Sequence, residues 1–458
     1  MSLSTICDGA ARPAIARLAG LLGVAGAHGA APRRAMTAFA IRIASAALAY
    51  LSQVVLARWM GSFEFGIFAY VWVWVIILGT VVTAGYNVSV MRFVPEYFER
   101  REWALLNGFV ITGTAVALGL GTIAALTGIG VVLLLGDRVE TYYVLPLVLA
   151  LACLPSFALS DTKDGLGRSR GWIDLALTPA YIVRPVLILA FMAAVVGLGA
   201  PATAVTAASA AIVATWVVAA GQTLLIRRRL MRIVPSEPAQ FQLAFWTRVS
   251  IPIVMVDGFY LIMAHTDVLM LSLFVGPAEV AIYYAVVKTT SLVAFVYFSV
   301  TAACGPKFSE YNAAGRREDL VRLLAASVRW TFWPSLAATA GILAMGMPLL
   351  WLFGPEFTAG YPMMFILAIG LMARAATGSV EAMMNMMGLQ NAIAGVLALA
   401  TAINIALNLV LIPAFGLAGA AIATTLSMCL VAVLQYSVAR RRLGVHAFIL
   451  GGARKGEA

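Results

Sequence analysis

Twelve apolar runs, each 19 to 31 residues long, occupy most of this 458-residue chain and are parted by short polar connections. They lie at roughly 37 to 58, 66 to 90, 105 to 135, 142 to 160, 174 to 197 and 202 to 226. A second set lies near 247 to 275, 278 to 304, 327 to 354, 361 to 388, 391 to 414 and 417 to 437. A bilayer-spanning helix takes about 20 apolar residues, so every run is long enough to cross. What remains is too short for a separate catalytic domain. Only 11% of the residues are charged and 62% are hydrophobic, against about 25% charged in a soluble domain. The expected fold is all-α and polytopic, with about twelve transmembrane helices in two six-helix lobes.

The placement of Lys and Arg tests that count independently. With a cytoplasmic N-terminus, the tails and even-numbered connections hold 23 of the 31 basic residues, while the opposite side holds only Arg58 and Arg138. Cytoplasmic loops carry such an excess, and a missed span would scramble it. In this reading Lys163, Arg168 and Arg170 belong to the connection between the fourth and fifth spans. Six basic residues fall inside or at the edge of spans: Arg42, Arg184, Arg248, Lys288, Arg329 and Arg374.

The expected organisation is a cytoplasmic tail at 1–36, an N-lobe at 37–226, a cytoplasmic linker at 227–245, a C-lobe at 246–438 and a second cytoplasmic tail at 439–458. The linker begins RRRLMRIVPSEPAQ, a charge run with two prolines,. LAGLLGVAGAHGA near the start mimics the apolar core of a signal peptide. Cleavage there would leave Arg33 and Arg34 on the translocated side, so a retained tail is expected.

The net charge of +11 does not indicate nucleic acid, because the basic residues are dispersed between apolar runs rather than gathered on one soluble face. Cys7, Cys153, Cys304 and Cys429 are scattered, which offers neither a disulfide framework nor a CxxC metal site. No cofactor or metal is expected, His265 lacking a second ligand. No GxxxxGK[ST] phosphate loop occurs in the sequence,.

The halves resemble each other. LARWMGSFEFGIFAY (56–70) aligns with LSLFVGPAEVAIYYA (271–285), sharing Gly61 and Glu64 with Gly276 and Glu279. Glu96-Tyr97 before Arg100-Arg101-Glu102 is echoed by Glu310-Tyr311 before Arg316-Arg317-Glu318, and VGLGAPATA (196–204) by FGLAGAAIA (415–423). Each pair falls on one side of the membrane, so the repeats run parallel, as in duplicated transporters.

LSQVVLARWMGSFEFGIFAY and GYNVSVMRFVPEY, with HTDVLMLSLFVGPAEVAIYYA, GPKFSEY and LNLVLIPAFGLAGAAIATT in the second half, resemble bacterial polysaccharide exporters of the Wzx type. These belong to the multidrug/oligosaccharidyl-lipid/polysaccharide (MOP) superfamily, and the resemblance covers most of residues 37 to 442. It implies a two-lobed transporter of the bacterial inner membrane, not an enzyme. Such a protein moves an isoprenoid pyrophosphate-linked oligosaccharide to the outer leaflet by alternating access, beside membrane lipids and polysaccharide assembly proteins. Many relatives have fourteen spans.

Ionisable side chains at membrane depth are costly and mark cavities or partners. A pyrophosphate brings two or more negative charges out of water. Arg meets them with a bidentate fork and Lys with a point charge. Arg42, Lys288 and Arg374, with Arg184 next, are therefore the expected substrate contacts, the alternative being that Arg374 only pairs with Glu381. Arg374, Thr377, Glu381 and Asn385 fall on one face of an unbroken tenth helix. Tyr284, Lys288, Ser291 and Ser299 on the eighth span, and Arg42 with Gln53 on the first, form similar stripes. Asp257, Asp267 and Glu381 are candidate coupling sites, and Asp267 matches an Asp of the relatives; a hydrogen-bond acceptor joining helices is the competing reading. Asn404 and Asn408 are expected to bridge helices, and Trp72, Trp74, Trp330, Trp333 and Trp351 to anchor at interfaces. A cation-coupled multidrug antiporter on the same fold is the second functional reading.

Overall fold

The computed structural model describes residues 30–446, 448 and 449, with side chains from Ser45 onward, Asp137 excepted. The chain forms two units, Met1–Ala47 and Leu48–Ala458. In the first, residues 30–47 are helical; the expected N-terminal tail and the Arg42 side chain lie outside what is described. Everything below concerns the second unit.

The described residues are helical almost throughout and contain no strand. The N-terminal half comprises α1 (Ala30–Val81), α2 (Tyr86–Glu99), α3 (Trp103–Leu135), α4 (Thr141–Ala152), α5 (Leu154–Ser169), α6 (Ile173–Thr178), α7 (Arg184–Gly197) and α8 (Ala204–Leu230). The second half comprises α9 (Leu243–Leu271), α10 (Pro277–Thr290), α11 (Ala294–Ala313), α12 (Arg317–Ala344), α13 (Gly346–Trp351), α14 (Tyr361–Ala375), α15 (Val380–Met386) and α16 (Gln390–Leu443).

Two of these helices are hairpins. Tyr50 and Phe65 would stand about 22 Å apart along a straight helix, yet their rings pack on Phe353 at 5.4 and 6.3 Å. The reversal lies at Gly61, whose φ of 74° a side chain would resist,. In α16 the same device is Gly416, at φ 55°. Across it Asn404 Nδ2 donates to Ser427 Oγ at 3.1 Å, 23 residues away, the helix bridge expected of that asparagine.

Among the described residues, eight helical stretches are long and apolar enough to span a membrane, or nine if α4 and α5, bent by 42°, count as one. Dividing two of them at Gly61 and Gly416 and adding the 28-residue α12 gives the twelve spans. Their edges follow most of the apolar runs, but the second and eighth spans continue to Glu99 and Ala313, the ninth is Arg317–Ala344, and the fourth needs the correction that bears on function. The fourth run was read as ending at 160, but α5 continues to Ser169 and buries Lys163 and Asp164. Lys163 is thus no loop residue. Its segment, SDTKDGLGRS, is too polar to register as a span.

The apolar packing has a simple layout. One cluster draws on both halves, joining Leu56, Phe65 and Val71 to Leu271, Tyr283, Phe353 and Phe357 near the Gly61 turn. Toward the linker the halves have separate clusters, one around Tyr86, Phe93, Phe109 and Trp246, the other around Phe308, Leu324, Met383 and Ile393. Helix α9 straddles the division. Its start packs on the first half, with Trp246 Nε1 donating to Tyr97 Oη at 2.8 Å and Ser250 Oγ to Ser89 Oγ at 2.7 Å. Its later residues Phe259 and Met263 pack in the second.

The repeated motifs meet in space. Glu64 Oε2 accepts from Ala204 N at 2.7 Å, tying the Gly61-x-x-Glu64 repeat to the first residue of α8. A carboxylate there satisfies a free amide and opposes the helix dipole. Small residues allow α3 to touch α5: a Cβ on Gly121 would come within 2.7 Å of Pro155 Cα, and Ala117 is fully buried.

Candidate functional site

In the first half, a π-helical turn at Pro179–Val183 delivers Arg184 at the start of α7. Such turns widen a helix locally and are frequent at functional sites. The Arg184 guanidinium carbon sits 4.8 Å over the Phe157 ring and 5.8 Å over Trp72. Among the described residues it has no ion-pair partner within 4 Å. Trp72 is half-buried and stacks on Phe68, which fixes its ring beside the arginine. Trp330, Trp333 and Trp351 are exposed.

A charged group adjoining Arg184 was not singled out from sequence. Asp161 Oδ2 accepts from Asn87 Nδ2 at 2.8 Å, and Asp164 Oδ2 pairs with Arg168 Nη2 at 3.0 Å. Asp161 lies within electrostatic reach of Arg184, and Asp257 on α9 within reach of Arg168. The cluster was hidden because α5 reads as a loop. The recurrence of three acidic or basic residues inside one helical turn was the available signal.

In the second half, Lys288 Nζ lies 4.9 Å over the Tyr284 ring, and Tyr284 packs against Phe65 of the first half at 6.0 Å. Lys288 is half-buried and forms no ion pair among the described residues. The next residue, Thr289, has its Oγ1 3.2 Å from Tyr50 Oη, which donates to Leu349 O at 3.2 Å. Gln53, on the same helix, keeps its buried Oε1 without a hydrogen-bond partner among the described residues. The stripe read along the eighth span is interrupted by a 3-10 turn at Ser291–Val293. Ser291 and Ser299 return their hydroxyls to Lys288 O and Phe295 O.

Arg374 is placed differently. Nη2 is 3.5 Å from Glu381 Oε2, and the guanidinium lies 4.9 Å over Tyr297 and 5.8 Å over Tyr260. Gln435 Nε2 also donates to Glu381 Oε2, at 3.2 Å. The expected stripe through Thr377 and Asn385 is corrected: the helix breaks between Ala375 and Val380, where Gly378 packs on the Val328 backbone. Thr377 Oγ1 returns to Arg374 O, and Asn385 is joined to Gln390 through its backbone carbonyl. Arg374 faces a cavity of about 270 Å³ within the second half, lined also by Tyr260, Asp267, Asn404 and Thr424. Asp267 is 3% exposed. Its Oδ1 accepts from Val268 N at 2.8 Å, and its Oδ2 from Tyr283 Oη at 2.8 Å and Thr424 Oγ1 at 3.4 Å.

The predicted residues therefore do not converge. Arg184 serves the first half, and Lys288, with Tyr284 and Gln53, lies where the halves meet. Arg374, Glu381 and Asp267 line the interior of the second, and no group of three or more His, Cys, Asp or Glu suited to a metal exists among the described residues.

Known proteins place this architecture. An inward-facing multidrug resistance MATE family transporter of the MOP superfamily superposes with a TM-score of 0.74 at 16% identity, over 87% of this chain and 94% of that one. The lipid II flippase MurJ, in an inward closed conformation, gives 0.69 at 13% identity over 88% and 87%. A MOP superfamily transporter from Pyrococcus furiosus gives 0.65 at 14% over 90% and 95%. In sequence, a probable low-salt glycan biosynthesis flippase, Agl15 of Haloferax volcanii, is 23% identical over 170 residues. That match spans 37% of this chain and about a third, 36%, of that protein. The family described as "Polysaccharide biosynthesis protein" matches residues 35–312, well over half the chain. The chain therefore has the fold of MOP superfamily transporters, and it belongs to the polysaccharide biosynthesis protein family.

Proposed function

We propose that the chain transfers an isoprenoid pyrophosphate-linked oligosaccharide from the cytoplasmic to the outer leaflet by alternating access, serving export of surface polysaccharide. The observation that carries this reading is the state of two cations at membrane depth. Lys288 and Arg184 rest on aromatic faces, with no carboxylate paired to either among the described residues. Leaving a charge in a low-dielectric site without a counter-ion is costly, so a missing anion accounts for Lys288, while Arg184, which has Asp161 within electrostatic reach but not paired to it, keeps donors for one. An aromatic face attracts the cation modestly, by about 0.5–2 kcal/mol, and leaves its hydrogen-bond donors free for phosphate oxygens.

The packing supports a conformational assignment. The halves share one apolar cluster near Gly61 and have separate ones near the linker. If the basic linker faces the cytoplasm, this arrangement is closed outward and parts inward, the state that would load substrate from the cytoplasmic leaflet. The lobes of the proposal are 37–226 and 246–438, with α9 as the element between them. Arg42 remains a proposed third cation. Arg374, compensated by Glu381, is assigned with Asp267 to coupling or to holding the second lobe together.

The multidrug antiporter reading needs an acidic aromatic cavity, which the Arg374 site supplies only in part. Restoring surface polysaccharide to a strain lacking this gene separates the two. Wild type should restore it, while Lys288→Met and Arg184→Met, present in the membrane at normal abundance, should not. Full restoration by the double variant would refute the substrate clamp.

A further inference from the structure

A second cavity, of about 670 Å³, lies apart from these groups, between α3, α5, α8 and the linker. That volume is in the range of small-molecule sites. Its polar wall contains Lys163, only 4% exposed, whose Nζ donates to Thr114 Oγ1 at 2.7 Å. An ammonium carries three donors, and the threonine, the one polar partner found among the described residues, is neutral. Thr223 Oγ1, on the same wall, is buried without a hydrogen-bond partner among the described residues. At the end of α8, Arg227 also lines the cavity and is exposed. Its neighbour Arg229 is paired with Asp174 at 3.3 Å, whereas Arg227 forms no ion pair among the described residues.

The other wall is apolar and reaches the surface, with Ile111 51% and Met231 69% exposed. The linker that closes the cavity is fastened to the helices. Gln240 N donates to Ala104 O at 2.9 Å, and Asn107 Nδ2 to Glu237 O at 3.2 Å. The site is therefore formed in advance, with a buried cation deep inside, hydroxyls beside it and an apolar exit. Glu237 contributes one exposed carboxylate to the lining. Against Lys163 and Arg227 this leaves an excess of one positive charge, which suits a singly charged phosphodiester better than a pyrophosphate.

We propose that this cavity binds an anionic phospholipid of the adjoining leaflet, its phosphodiester on Lys163 and Arg227 and its acyl chains leaving past Ile111. The occupant would brace the linker that joins the two lobes. Native mass spectrometry of the full-length protein in detergent tests this, with phosphatidylglycerol, phosphatidylcholine and sodium phosphate as the added probes. Both lipids carry the phosphodiester, but the choline ammonium cancels its charge and would meet the excess positive charge of the site, so roughly a tenfold or greater preference for phosphatidylglycerol over phosphatidylcholine is expected. Lys163→Met should abolish that preference, Arg227→Ala should weaken it, and Lys163→Arg should keep most of it. Melting without added lipid checks that Lys163→Met is folded, and Arg227→Ala at the exposed mouth serves if it is not. Equal retention of both lipids by wild type, or an undiminished preference in Lys163→Met or Arg227→Ala, overturns the proposal. So does inorganic phosphate that displaces phosphatidylglycerol while depending on Lys163, which assigns the site to a free anion. Because the readout is lipid retention, a negative result leaves the transport reading standing, and the reverse also holds.

Discussion

Arg58 reaches from α1 to the end of α13, where its guanidinium stacks 4.6 Å over the Trp351 ring and its Nε donates to Leu352 O at 2.7 Å. A second donor, Nη2, meets Trp351 O. Carbonyls at a helix C-terminus lack partners of their own and favour a cation, so one side chain of the first half caps a helix of the second. Arg58 is exposed, which limits the latch to about 1 kcal/mol. Arg58→Ala should shift the balance between conformations by roughly fivefold toward opening at the Gly61 end. Spin-label distances across that end read the shift, and an unchanged distribution would show that Arg58 is no latch.

Gly66 guards the same closure. A Cβ there would fall 1.8 Å from Pro277 O, a backbone atom that cannot rotate away. Gly66→Val should keep the two halves apart near Gly61, lower the melting temperature and make introduced cysteines on α13 more reactive from outside. Unaltered reactivity would mean that α1 and α10 already separate for other reasons.

Asp267 gives a stability prediction. Removing its carboxylate strands Tyr283 Oη and Thr424 Oγ1 inside the protein, at about 1–3 kcal/mol per unsatisfied group. Asp267→Ala should therefore melt clearly lower than wild type, and Asp267→Asn, which can still accept, should melt in between. If instead Asp267→Ala melts normally but loses ion dependence of transport, the residue acts in coupling rather than in joining α9, α10 and α16.

Arg374 and Glu381 form a pair whose loss should be lopsided. Either single change to an apolar residue leaves one half-buried charge without its partner, whereas the double change removes both. With the side chains 22% and 19% exposed, Arg374→Met and Glu381→Met should each lower stability by about 1–3 kcal/mol, less than breaking a fully buried pair, with the double variant less affected than the sum of the two. Strict additivity in melting or denaturant titration would argue that the two charges act separately.

Much of the fold was legible because membrane spans are coded by length and apolarity alone, and the edges of most runs survive within a few residues. The turns at Gly61 and Gly416 fall in the gaps between those runs. Legibility failed where polar residues sit inside helices. SDTKDGLGRS carries no apolar signal, so α5 was cut short and Asp161, Lys163 and Asp164 were lost from view. The face drawn through Arg374, Thr377, Glu381 and Asn385 assumed an unbroken helix, yet packing of Gly378 on Val328 breaks it. Even so, the Arg374–Glu381 contact forms, because the break happens to return Glu381 toward the arginine.

The account rests on anion capture by Lys288 and Arg184, which binding of a saccharide-bearing polyprenyl pyrophosphate tests most directly. Its affinity for the purified protein should be compared with that of the same polyprenyl saccharide lacking phosphate. The account predicts at least tenfold tighter binding of the pyrophosphate by wild type, about 1.4 kcal/mol, and loss of that advantage in Lys288→Met. Equal affinity for the two lipids, or a pyrophosphate preference that survives replacement of both cations, would contradict it.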